Sequence, residues 1–66
     1  MNKREIINSM EKYTKASFIT RKQLAEFLGR KSQYHVDKYL VGLDRIDKMY
    51  FIPDVAARLM EFMNTK

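Results

Sequence analysis

The 66-residue chain has no cysteine, no tryptophan, one proline, two glycines and one histidine. Without thiols it forms no disulfide scaffold, runs no cysteine redox chemistry and offers no cysteine-based zinc site. Gly29 and Gly42 stand too far apart to make a phosphate-cradling loop, and no serine lies in a nucleophile motif. The eight carboxylates are scattered through charged segments, and His35 has no second histidine or carboxylate at ligand spacing. Neither catalysis, a metal nor a cofactor is expected. Long apolar runs are also missing: the longest are Tyr39 to Leu43, which includes a glycine, and Met49 to Ile52, whereas a membrane span needs roughly 20 apolar residues. Near the start, Lys3 and Arg4 lead only to the apolar pair Ile6 and Ile7, so a cytoplasmic protein without a membrane partner is expected.

A chain this short holds one domain and must place its apolar residues economically. Thirteen basic residues stand against eight acidic, a net charge of +5. The excess lies entirely in residues 1–38, while residues 39–66 hold four of each sign. Such a balance suits a polyanion partner, and it also suits a merely solubilising surface.

Asn2 and Glu5 have capping-box spacing, and Ile6, Ile7, Met10 and Tyr13 then mark one face of a helix over about 3–13. Thr14 to Ser17 read as a linker, so residues 1–17 form an added helix and linker ahead of a domain spanning 18–66. Phe18 and Ile19 are a short apolar entry to a second helix, about 21–28. That helix is capped by Thr20 with Gln23, stapled by Ile19 and Leu24, and ended by Gly29. Ser32 caps a third helix over 32–41 that buries Val36, Leu40 and Leu43 and shows Gln33, Tyr34, His35, Asp37 and Lys38 on its other side. Segments 43–46 and 49–52 around Asp47 and Lys48 predict a β-hairpin. Pro53 and Asp54 open a last helix whose broad apolar face includes Val55, Ala56, Leu59, Met60, Phe62 and Met63.

The expected fold is mainly α with a small β-hairpin, in the order α-α-α-β-β-α. Two short helices around a Gly-containing turn, followed by a hairpin, make a winged helix-turn-helix pattern, whose second helix enters the DNA major groove. Arg21, Lys22, Arg30, Lys31 and Lys38 then fall where phosphates would lie, with Arg45 and Lys48 on the wing. Ser32, Gln33, Tyr34 and His35 fall near base edges. Tyr34 is read first as a DNA contact, with packing on the neighbouring helix as the alternative.

The stretch from Phe18 to about Met63 resembles the excisionase-type, MerR-like winged helix-turn-helix DNA-binding domains. The likeness rests on Thr20, Leu24, Ala25, Leu28 and Gly29, on Val36, Lys38, Tyr39 and Leu40, and on Tyr50, Ile52, Pro53 and Val55. Most of these are core and cap positions. The resemblance implies a small protein of a mobile genetic element that binds double-stranded DNA, as an excisionase-like architectural factor in DNA recombination or as a transcription regulator. Three departures stand out. The connection from Gly29 to Val36 is one residue longer than is usual, Phe51 stands where the family often has arginine, and residues 1–17 precede the usual start.

A second reading makes the chain an adaptor that binds a larger DNA-processing enzyme of the same element, a recombinase, polymerase or helicase. Ile6, Ile7, Met10, Met60 and Met63 are the candidate protein interface, or else the core between the first and last helices. A homodimer through those end helices fits either reading.

Overall fold

The computed structural model describes residues 2–63, which form a mainly helical domain with one three-stranded antiparallel sheet. The first helix, α1, spans Lys3–Thr14. Its Asn2 side chain accepts from the Glu5 amide while the Asn2 amide donates to the Glu5 carboxylate, both at 2.8 Å. Strand β1, Phe18–Thr20, leads without a loop into α2, Arg21–Phe27. Thr20 serves both elements: it closes the strand, and its hydroxyl accepts from the Gln23 amide at 3.0 Å while Gln23 bonds back to the Thr20 amide. Ile19 and Leu24, on either side of this box, are fully buried.

Gly29 ends α2 at φ +72°. Its amide donates to the Glu26 carbonyl and the Arg30 amide to the Ala25 carbonyl, the paired bonds of a Schellman motif, in which glycine takes the left-handed position without a Cβ clash. The helix expected over 32–41 is divided. Ser32 caps a 3-10 turn, Gln33–Val36, and one α-helical turn follows as α3, Asp37–Leu40. Val41 at φ −58°, ψ 127° and Gly42 at φ +84°, closed by the Leu43 amide on the Leu40 carbonyl at 3.1 Å, make a type II turn. Arg58 holds it from outside, donating to the Val41 carbonyl at 2.6 Å.

Strands β2, Arg45–Ile46, and β3, Met49–Phe51, form the hairpin, shorter at both ends than the sequence pattern suggested. Asp47 at φ 49° and Lys48 at φ 68° make the turn left-handed at both central residues. That matches a type I′ hairpin turn, one that usually contains glycine. The sheet order is β1-β3-β2, so the hairpin is extended by Phe18–Thr20 along β3, with Phe18 opposite Phe51 and their rings 5.3 Å apart. Phe18 and Ile19, the apolar entry to α2, are thus also strand residues. Their partner lies more than 30 residues away in sequence, beyond the reach of local pattern. Ile52, expected in the hairpin, instead begins α4, Ile52–Met63, and its amide still donates to the Ser17 carbonyl at 2.9 Å.

One core runs through the domain. Ile6 and Met10 from α1 join Ile19, Leu24, Val36, Leu40, Ile52, Val55 and Leu59 inside it. Residues 2–17 and 18–63 therefore share a single interior, and Ile6 and Met10, offered above as a protein interface or as core, are core residues. Ile7 and Met60 are half-buried against the same core. No helix among the described residues is long and apolar enough to cross a membrane.

Candidate nucleic-acid interface

Short elements bring the basic residues together. The capping box at Thr20 fixes the direction of α2 and so places Arg21 and Lys22 on its first turn. The Schellman turn at Gly29 reverses the chain and presents Arg30 and Lys31. The left-handed hairpin turn then carries Lys48, with Arg45 on the adjoining strand. Two adjoining depressions result. The first, about 360 Å³, is lined by Arg21, Lys22, Ala25, Glu26, Arg30, Lys31, Ser32, Gln33 and Tyr34. The second, about 390 Å³, is lined by Thr20, Arg21, Lys22, Gln33, Arg45, Lys48 and Tyr50. Arg21, Lys22 and Gln33 belong to both, so the two form one surface. Six cations line it against one carboxylate, Glu26, which itself accepts from the Tyr13 hydroxyl at 3.0 Å.

Two cations behave differently from the rest. Arg21 is committed to Asp37: its Nε donates to Oδ1 at 2.6 Å and a terminal nitrogen donates to Oδ2 at 2.9 Å. These bonds hold the guanidinium above its ordinary pKa, against partial desolvation. The guanidinium carbon also lies 4.7 Å from the centre of the Tyr34 ring. Arg21 is thus not a free phosphate ligand. Lys38 turns away from the surface. Its ammonium lies 5.2 Å from the ring of Tyr39 and 5.8 Å from that of Phe62, an attraction between cation and ring face. Lys38 accordingly leaves the group of basic residues with which its sequence position had placed it.

Among the residues expected near base edges, Gln33 and Tyr34 lie on the surface, and Tyr34 is 77% exposed. Ser32 borders the first depression while its hydroxyl accepts from the Tyr34 amide at 3.2 Å. His35 is exposed but borders neither depression. Thr20 and Tyr50 line the second depression, and Asp37 anchors its central arginine; none of the three had been assigned to the site. Asp37 is 16 residues from Arg21, and no local signal joins them.

A groove of opposite character lies elsewhere. It is lined by Ile6, Ser9, Phe27, Leu28, Tyr39, Leu59, Phe62 and Met63, encloses about 410 Å³ and shares no lining residue with the basic surface. The Tyr39 and Phe62 rings meet edge to face at 4.8 Å. Met63, 51% exposed, and Phe62, 43% exposed, form its open edge. No group of three or more His, Asp or Glu side chains that could hold a metal ion occurs among the described residues. No family model matches the chain, and neither a curated protein nor a solved structure matches it.

Proposed function

We propose that the chain is a small protein that binds double-stranded DNA through a winged helix-turn-helix, with α2, the 3-10 turn and α3 as the helical unit and the β2–β3 hairpin as the wing. The observation that carries this reading is the continuity of the basic surface from the α2–Gly29 turn to the hairpin. Lys22, Arg30, Lys31, Arg45 and Lys48 neutralise phosphates, and Gln33 and Tyr34, between the two cationic ends, face base edges or sugars. The wing takes part through Arg45 and Lys48, although Phe51 replaces the arginine that the resembling family often has in this strand. An excisionase-like architectural factor or regulator of a mobile genetic element is the biological role that the family resemblance implies.

Titrating the protein against a duplex of about two helical turns at several salt concentrations tests the proposal. Five phosphate contacts predict a log–log salt slope of about −4.5. No binding at low salt overturns it.

The apolar groove favours a second reading, in which the same domain is an adaptor for a larger DNA-processing enzyme. Its open edge of Phe62 and Met63 lies apart from the basic surface. Co-expression with the neighbouring genes followed by size-exclusion chromatography separates the two: a stable complex supports the adaptor, and elution of the protein alone removes it.

A further inference from the structure

We propose that Asp37 is a positioning residue that withdraws Arg21 from phosphate binding and makes it the support of a stacking platform formed by Tyr34. This rests on the DNA-binding reading. Arg21 borders both depressions and so occupies the junction of the basic surface, where a free guanidinium would be best placed to take a phosphate. Instead, two near-parallel bonds to Asp37 at 2.6 and 2.9 Å hold it. A planar fork gripped on one edge by a carboxylate has a fixed plane, and that fixed group lies 4.7 Å from the centre of the Tyr34 ring.

The pair therefore places a neutral unit in the middle of the surface. Lys22 lies beside it at the junction, Arg30 and Lys31 border only the first depression, and Arg45 and Lys48 border only the second. Tyr34 is restrained twice, at its amide by the Ser32 hydroxyl at 3.2 Å and at its ring by Arg21, yet it stays 77% exposed. An aromatic ring held from one side and open on the other can contact a sugar, a thymine methyl or a partly unstacked base with little further loss of freedom. The cations at either end position the duplex, and the ring between them contributes binding that salt does not screen.

Salt-dependent binding of a random-sequence duplex pool tests this. Each added phosphate contact steepens the slope by about 0.9. Asp37→Ala frees Arg21, so its slope steepens by about that amount, whereas Glu11→Gln, which removes the same charge from α1 outside both depressions, leaves the slope at the wild-type value. The Arg21→Ala/Asp37→Ala double variant restores the wild-type net charge and slope. It loses affinity by the same factor as Tyr34→Ala, and adding Tyr34→Ala to it costs no further affinity. Asp37→Asn, closer in shape, repeats the slope measurement if the alanine variant does not fold by circular dichroism. An unchanged slope in the folded Asp37 variant, or a double variant shallower than wild type by about 0.9, overturns the inference while leaving DNA binding intact. A wild-type protein that binds no duplex removes both.

Discussion

The basic surface and the apolar groove are built in different ways. The surface is assembled from pieces of two to seven residues: α2, a 3-10 turn and a two-residue strand. What orients them is hydrogen bonding at their ends, through Thr20 with Gln23, Gly29 with Glu26, and Ser32 with Tyr34. The groove is walled chiefly by α1 and α4, each of 12 residues, together with Phe27, Leu28 and Tyr39, and burial of one continuous core positions it. Charges are thus aimed by caps and turns, which can hold a solvated side chain where little packing is available. Apolar walls are aimed by the interior beneath them.

The sharpest way to break this contrast is to remove the core shared by both regions. Leu24→Ala empties a fully buried site under α2 and costs about 3 kcal/mol, close to the whole stability of about 3–5 kcal/mol available to a domain of this size. Chemical denaturation should find no more than about 2 kcal/mol of stability left, with surface and groove lost together in a single transition. A smaller effect separates the regions. Arg30→Ala with Lys31→Ala should flatten the salt slope of DNA binding by about 1.8 and shift stability by no more than about 0.5 kcal/mol, as exposed substitutions do.

Smaller again is relief of the hairpin turn. Lys48 sits at φ 68°, so Lys48→Gly should raise stability by about 0.5–1 kcal/mol in thermal or chemical melts by removing the left-handed strain of a side-chain-bearing residue. The same change should lower DNA affinity through loss of the cation. A variant that gains stability and keeps its full affinity would remove Lys48 from the contacting set. The smallest expected effect is the most discriminating: Lys38→Ala should leave the salt slope at the wild-type value, because that ammonium lies against Tyr39 and Phe62. A slope flattened by about 0.9 would return Lys38 to the DNA-facing group and blur the division between the two regions.

Much of the local architecture is legible in the chain because its signals act within three or four residues. The boxes at Asn2–Glu5 and Thr20–Gln23, the Gly29 stop, the Ser32 cap and the Asp47–Lys48 turn all occur where spacing and residue type indicated. Continuous α-helix from Ser32 is where pattern misled. The spacing of Val36 and Leu40 describes the side that is buried, but it does not distinguish a 3-10 opening turn from an α-helical one. Charge misled in a different way. The excess in residues 1–38 was visible, yet Lys3, Arg4, Lys12 and Lys15 lie on or next to α1, outside the surface, and Lys38 turns towards the groove. Arg45 and Lys48, from the electrically balanced half, join it.

By itself, then, the sequence determined the single domain, the helix ends, the hairpin and the apolar residues available for a core, because composition, caps and periodicity are properties of neighbours. Only the tertiary structure decided that Phe18–Thr20 is the third strand, that Ile6 and Met10 are interior, that Arg21 is bound by Asp37 and that Lys38 is not part of the basic surface. Each of these depends on which distant segment arrives alongside. That choice is made by the burial of the whole core and not by any segment's own preference.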